Sequence, residues 1–454
     1  MAIQSTNPMT GGVEKIFEEW TPEEISSVLA DVDSAFRKWR ETTPAFRAES
    51  LIRLAGVLRE KADSLAGLMA AEMGKPLNSG RAEVLKSATV CDYYSQNGPG
   101  MIESELLTVD GMQCRIEYSP TGTVLAVMPW NYPVWQVLRI AVPTLMAGNT
   151  MVLKHASNVP QCAQALEELF REAGFPENVF RTLMIGAGQV ETVLDHDSVV
   201  GVSLTGSEEA GRKVAAAAGA RLKKSVMELG GSDAFVVLED ADLAKAAEIG
   251  AASRCSNAGQ ACIAAKRFIV HRSVFDEFVS MLGKEMNAIP VGHPHAPETV
   301  MGPLASFRFR DELQAQVDRC VAAGGKLFMG GAIPEGEGAF YPPTILTDIP
   351  FDAPAAREEL FGPVAMVFPA ESEEKAMEMA NDSRFGLGGS VWTRDEEKGL
   401  KLARRIEAGL VYVNGRVSSR PPIPFGGVKN SGYGRELYTY GIREFVNVKS
   451  ICIG

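Results

Sequence analysis

The chain has 454 residues, a hydrophobic fraction of 46%, a charged fraction of 22% and a formal net charge of −12. That length exceeds a single hydrophobic core, so two or three domains of an ordinary globular protein are expected. The negative balance argues against nucleic acid or an anionic membrane as partner, and any anionic ligand has to be met by a local positive pocket.

The N-terminus lacks a basic segment followed by an apolar one, so no signal peptide is expected. From Pro22 to Met73 the spacing is helical, with Ala30, Val32, Ala35, Phe36 and Trp39 on one face and Leu51, Leu54, Val57 and Leu58 on another, which predicts two long helices. Leu106 to Glu117 alternates around Asp110-Gly111 and reads as a β-hairpin. Between Gly122 and Leu153 the only charge is Arg139, but Pro129, Asn131, Pro133, Pro143 and Asn149 interrupt the run, so buried core is expected there and not a membrane span. Short apolar runs, Val124 to Val127, Thr150 to Leu153, Arg181 to Ile185, Gly201 to Leu204 and Ser225 to Leu229, alternate with helices. A second alternating set runs from Ala234 to about residue 430. The pattern predicts an α/β protein of two doubly wound domains, each a parallel sheet with helices on both faces.

Seven cysteines, at positions 91, 114, 162, 255, 262, 320 and 452, form a scattered set without a C-x-x-C pair, which reads as reduced thiols in a cytoplasmic compartment. With five histidines and no His/Cys cluster, no metal site is expected; His293-Pro294-His295 reads as a surface turn. Cys262 follows Asn257-Ala258-Gly259-Gln260-Ala261, a small flexible turn poor in charge. A thiolate is a strong nucleophile, and a preceding glycine permits close approach of a ligand; a structural core cysteine has the same appearance. Glu228 ends an apolar strand and precedes Gly230-Gly231, a place suited to a general base and equally to a capping residue. Gly186-Ala187-Gly188-Gln189-Val190-Glu191 lacks the third glycine of a dinucleotide fingerprint, whereas Thr205-Gly206-Ser207 joins a strand to a helix and offers N–H groups to a phosphate, or only an N-cap. Glu208 and Glu209 in that first turn would repel a pyrophosphate unless they point outward.

Six segments stand in one order along the chain: Pro129-Trp130-Asn131, Thr205-Gly206-Ser207, Glu228-Leu229-Gly230-Gly231, Gly259-Gln260-x-Cys262, Glu359-x-Phe361-Gly362-Pro363 and Pro424-Phe425-Gly426-Gly427-x-Lys429-x-Ser431-Gly432. In this the chain resembles the NAD(P)-dependent aldehyde dehydrogenase superfamily from about residue 10 to the end. Through Leu153-Lys154-His155-Ala156-Ser157-Asn158 and Cys262-Ile263-Ala264-Ala265-Lys266-Arg267-Phe268 it is most similar to the short bacterial succinate-semialdehyde dehydrogenases. The resemblance implies a cofactor-binding domain at 1–101 and 121–229, a catalytic domain at 230–434, and an oligomerisation element at 102–120 and 435–454 that joins copies into a homodimer or homotetramer.

It also implies roles. Cys262 would attack the aldehyde carbon, Asn131 with the Cys262 N–H would hold the oxyanion, and Glu228 would activate water; without the resemblance, Asn131 is a turn amide between two prolines. Trp130, Lys154, Ser157, Thr205, Gly206, Ser207, Leu229, Glu359 and Phe361 would surround the cofactor, Glu359 on the nicotinamide ribose and Phe361 against the ring, unless Phe361 is plain core. Ser157 stands where NAD-preferring members commonly have glutamate, so with Lys154 it points to NADP as the preferred cofactor and NAD as a possible one. Arg139 and Ser419 match positions that bind the substrate carboxylate, with Trp135 as an apolar wall; Arg416 and Arg420 are unassigned alternatives, and an internal Arg–Glu pair is the competing explanation of Arg139. Cys255 fits either a resolving thiol or a buried spectator. The function implied is oxidation of succinate semialdehyde to succinate. Another ω-carboxy aldehyde such as glutarate semialdehyde, or a non-catalytic binding protein that keeps the fold, stays open.

Overall fold

The computed structural model describes residues 3–453. A short hairpin, β1 (Ile3–Thr6) and β2 (Val13–Phe17), precedes four helices: α1 (Pro22–Trp39), α2 (Pro44–Glu60), α3 (Ala62–Met73) and α4 (Leu77–Met101). The stretch 22–73, expected as two helices, is three. Thr43 caps a new helix by accepting from the Phe46 N–H at 3.2 Å with Pro44 in the first turn, and Lys61 separates α2 from α3. The expected hairpin is β3 (Glu105–Val109) and β4 (Met112–Pro120).

Strand and helix then alternate: β5 (Thr123–Met128), α5 (Trp135–Met146), β6 (Thr150–His155), α6 (Pro160–Glu172), β7 (Phe180–Thr182), α7 (Val190–Asp195), β8 (Val199–Thr205), α8 (Glu208–Ala220) and β9 (Lys224–Glu228). In space these strands lie parallel in the order β9-β8-β5-β6-β7. Val124, Ala126 and Met128 enter one apolar cluster and Leu125 another, so both faces of β5 are buried, which is why it reads as an unbroken apolar run. The chain winds outward from β5 in both directions. A crevice therefore opens beyond the carboxyl ends of β5 and β8, where Asn131 and Thr205 stand.

The second set is β10 (Asp233–Val237), α9 (Leu243–Cys255), β11 (Ala265–His271), α10 (Phe275–Asn287), α11 (Phe307–Ala322), β12 (Lys326–Met329), β13 (Thr344–Thr347), β14 (Val364–Ala370), α12 (Glu373–Asn381), β15 (Phe385–Gly386), β16 (Gly388–Trp392), α13 (Glu396–Ala403) and β17 (Leu410–Val413). Its sheet has the order β12-β13-β14-β11-β10-β16-β17, parallel except for β12. β18 (Val428–Lys429) pairs with β15, while β19 (Gly432–Tyr433) crosses back and pairs with β9 of the first sheet, Gly432 opposite Glu228. Residues 432–433, assigned from sequence to the catalytic unit, thus complete the other sheet.

After α14 (Tyr438–Arg443), the last strand β20 (Val446–Ile453) joins the hairpin in the order β20-β4-β3. Leu106, Leu107, Val109, Val448, Ile451 and Ile453 leave this small sheet with exposed apolar side chains. Register places Cys452 opposite Cys114, and the two form a disulfide. This corrects the expectation that all the cysteines are reduced: 338 residues separate the partners, and only strand pairing brings them together. Among the described residues no helix is long and apolar enough to cross a membrane.

Candidate active site

Cys262 lies between α9 and β11 on a loop that the sequence reads as flexible and the structure shows as pinned. Asn257, Ala258 and Gly259 have φ of 54°, 53° and 74°. A Cβ on Gly259 would stand 2.2 Å from the Gly362 carbonyl, so glycine alone lets this backbone lie against Gly362-Pro363. The fully buried Arg254 guanidinium staples the loop by donating to the Gly259 carbonyl and, at 3.1 Å, to the Ala265 carbonyl. Behind the nucleophile, Lys266 Nζ donates to the carbonyls of Ala261 (2.9 Å) and Cys262 (2.8 Å) and pairs with Glu359 at 3.3 Å. Cys262 itself is free and half-buried. Burial pushes its thiol up to about 12, and the positive charges of Lys266 and then Arg139 work in the opposite direction.

Asn131 sits between β5 and α5, and its side-chain amide donates to the Gln260 carbonyl at 3.0 Å, tying it to the nucleophile loop. Its own carbonyl accepts from Lys75 Nζ (2.8 Å) and Asn257 Nδ2 (2.9 Å). Lys75 forms a buried ion pair with Glu83, and Glu83 Oε1 accepts the N–H groups of Val134 (2.9 Å) and Trp135 (3.0 Å), capping α5. One ion pair thus fixes both the amide loop and the helix after it. Lys75→Met strands a buried carboxylate, and we expect a loss of about 3–5 kcal/mol in unfolding free energy. Denaturant unfolding of parent and variant checks this; a loss below about 1 kcal/mol, the scale of an exposed pair, would contradict it.

Glu228 ends β9, is buried, and neither of its carboxylate oxygens accepts a hydrogen bond. The Gly427 N–H comes close enough to favour the charged form without meeting hydrogen-bond geometry. Burial first, and the charge of Glu436 second, raise the carboxyl to about 8, against the pull of Arg139 and Arg435. The group holds its proton at neutral pH and becomes a carboxylate as pH rises through 8.

Arg139 departs from the sequence expectation. Its guanidinium is paired with Glu436, stacks 4.3 Å over Phe425, and donates to Thr205 Oγ1 at 3.3 Å. The competing Arg–Glu explanation describes what is seen: a buried guanidinium and a buried carboxylate each need the other. Glu436 also accepts from Ser203 Oγ at 3.2 Å.

A cavity of about 530 Å³ opens beside the thiol, lined among others by Trp130, Asn131, Thr205, Gly206, Ser207, Leu229, Cys262, Glu359 and Phe361. Trp130 stacks on Phe309 with centroids 4.8 Å apart and meets Phe361 edge-on at 5.9 Å. Gly230 belongs to the same wall, where a Cβ would fall 2.3 Å from Glu359 Oε2. Ser207 caps α8, and the tension over Glu208 and Glu209 is resolved by their ion pairs. Glu208 engages Arg384 (2.8 Å) and Arg212 (3.3 Å), and Glu209 engages Lys213 (2.6 Å), all away from the cavity. At the end of β6, Lys154 is buried and pairs with no carboxylate among the described residues; Ser157 is half-buried beside it. A flat apolar slot, a helix N-terminus and an unpaired buried cation fit a nicotinamide dinucleotide carrying an extra phosphate. Lys154 and Ser157 lie outside the cavity lining, as the far end of such a ligand requires.

Trp135 and Ser419 are brought together, Trp135 Nε1 donating to Ser419 Oγ at 3.0 Å. Lys86 Nζ donates to the same oxygen at 3.2 Å. Sequence reading missed Lys75, Glu83, Lys86, Arg254 and Glu436 and left Lys266 without a role. Only Lys266 carried a signal, through its place four residues after the nucleophile.

The chain belongs to the aldehyde dehydrogenase family, whose profile matches residues 1–451. It is 47% identical over 453 residues to a probable NADP(+) succinate-semialdehyde dehydrogenase of Synechocystis sp., covering 100% of both chains. It is 43% identical to the NAD(P)+ succinate semialdehyde dehydrogenase Sad of Escherichia coli, covering 98% of this chain and 97% of that one. The crystal structure of succinic semialdehyde dehydrogenase from Streptococcus pyogenes, in complex with NADP+, superposes with a TM-score of 0.97 at 38% identity, over 99% of each chain.

Proposed function

We propose that the protein oxidises succinate semialdehyde to succinate, with NADP+ preferred over NAD+. The observation that carries the reading is a free thiol, Cys262, that shares a cavity of about 530 Å³ with Asn131 and stands within reach of the charges of Glu228 and Arg139. Cys262 gives its proton to solvent and, as the thiolate, bonds through Sγ to the aldehyde carbon. The oxygen gains the electron pair and is held by the second Asn131 amide proton and the Cys262 N–H, where losing one donor costs about 3 kcal/mol of barrier. When bound, the dinucleotide supplies positive charge near the thiol and accepts the hydride from that carbon. A thioester on Cys262 remains. The Glu228 carboxylate removes a proton from water, the water oxygen adds to the thioester carbon, and the C–S bond breaks to release the acid.

In this reading residues 1–101 and 121–229 bind the cofactor, with Trp130, Lys154, Ser157, Thr205, Gly206, Ser207, Leu229, Glu359 and Phe361 in contact with it. Residues 230–434 carry the nucleophile, and 102–120 with 435–454 join copies into a homodimer or homotetramer through the exposed apolar side chains of the small sheet. Ser419 meets the far carboxylate and Trp135 forms an apolar wall beside it, while Arg139 is engaged by Glu436. Steady-state reduction of NADP+ and NAD+ on a panel of carboxylated and uncharged aldehydes tests the function; equal efficiency on both classes would refute the substrate assignment. For the cofactor, Ser157→Glu places a carboxylate where the extra phosphate would sit, so the NADP+/NAD+ ratio of kcat/KM is expected to fall at least about 10-fold. An unchanged ratio would refute the assignment of Ser157.

A further inference from the structure

We propose that Lys86 is the residue that selects carboxylated aldehydes, its ammonium group meeting the far carboxylate of the substrate together with the Ser419 hydroxyl. The inference rests on the function proposed above and names the charge that such a substrate would meet. Lys86 is half-buried on α4, donates to Ser419 Oγ at 3.2 Å and stands 4.1 Å over the Trp135 ring. Trp135 donates to the same oxygen at 3.0 Å. An ammonium and an indole N–H can only donate, and a hydroxyl whose oxygen already accepts two bonds has only its proton left to offer. The trio therefore presents donors and no acceptor.

The charge that surrounds Lys86 is mostly of the same sign. No carboxylate forms an ion pair with Lys86 among the described residues: Glu83, on the same helix, is taken by Lys75 and by the N–H groups that open α5. From the other elements Lys86 faces Arg139 on α5 and Arg416 and Arg420 on the loop after β17, all cationic, Arg139 being offset by Glu436. Burial first and Arg139 second, with Arg416 and Arg420 adding less, bring the Lys86 ammonium down to about 8 against the pull of Glu83. A cation confined this way is stabilised by an incoming anion. Arg139 on α5 is near enough for its charge to act on both Lys86 and Cys262, which places the trio and the nucleophile around one guanidinium.

The test compares kcat/KM for succinate semialdehyde with that for butanal, an uncharged aldehyde of the same chain length, under saturating NADP+. Parent, Lys86→Met and Lys86→Arg are each measured at pH 7 and pH 9. At pH 7 Lys86→Met is expected to lower the carboxylated-to-uncharged ratio about 10- to 100-fold, the range of a charge-assisted hydrogen bond, through KM and with butanal unchanged. Because kcat/KM reports groups of the free enzyme, the parent ratio should fall from pH 7 to pH 9 as the ammonium loses its proton. Titration of Cys262 and Glu228 is common to both aldehydes and cancels in the ratio. Lys86→Arg keeps its charge, and so should hold the ratio at both pH values. If Lys86→Met slows both aldehydes equally, or leaves the ratio at the parent value, the proposal is wrong. A parent that does not distinguish the two aldehydes at pH 7 instead removes the substrate assignment on which the proposal stands.

Discussion

Glu228→Gln is expected to reduce one nicotinamide per active site and then nearly stop. Attack by Cys262 and departure of hydride leave a thioester without any need for the Glu228 carboxylate, whereas hydrolysis requires a group that can take a proton from water. Glutamine has nearly the same volume and cannot do this, so turnover after the burst should drop about 10²- to 10⁴-fold, the usual contribution of a general base. In the parent, burial and Glu436 hold the carboxyl up to about 8. The deprotonated form, which acts as base, therefore accumulates as pH rises through 8, and the post-burst rate should climb over that interval. The variant should lose the climb. Rapid mixing with saturating aldehyde and NADP+, followed by nicotinamide absorbance, separates burst from steady state; undiminished steady turnover in the variant would remove Glu228 from this role.

The reacting groups were legible because each carries a local signature. Cys262 follows a glycine turn, Glu228 ends an apolar strand, and Thr205-Gly206-Ser207 opens a helix after one. Alternation of strand and helix gave both sheets, since strands buried on two faces must be apolar throughout. What holds those groups in place was hidden for one physical reason: its partners are remote in sequence. Glu436 meets Arg139 from almost 300 positions away, so the lone charge of an apolar stretch looked available to a substrate when it was already paired. Lys75 and Glu83 sit on ordinary helical ground, and nothing local says that they carry the Asn131 loop. Gly432–Tyr433 crosses to the first sheet, and Cys452 reaches Cys114, by pairings between strands that periodicity does not report. The break at Thr43-Pro44 was visible as a cap and a proline, and helical spacing on either side masked it.

Cys262→Ala should abolish aldehyde-dependent reduction of NADP+, with a loss on the order of 10⁴-fold or more. The nicotinamide can accept hydride only from a carbon that carries an electron-rich oxygen, and the sulfur is the atom that creates it. The substitution removes one sulfur from a cavity whose other walls include aromatic rings, a helix N-terminus and Glu359, so NADP+ affinity should stay within a few-fold of the parent. Retained binding with lost chemistry separates a nucleophile from a residue that merely shapes the site. Cys255, seven residues earlier, is buried, and burial raises its thiol to about 12 against the pull of Arg254. Cys255→Ala should leave turnover within about twofold, as for a spectator.

The thioester itself can be caught. Glu228→Gln, mixed with succinate semialdehyde and NADP+, quenched in acid and digested, should yield the peptide containing Cys262 with the added mass of one succinyl group, in step with the burst and absent when NADP+ is omitted. An unmodified Cys262 after a full burst, or the added mass on Cys255 or any other residue, would contradict the central claim that this sulfur carries the substrate through oxidation.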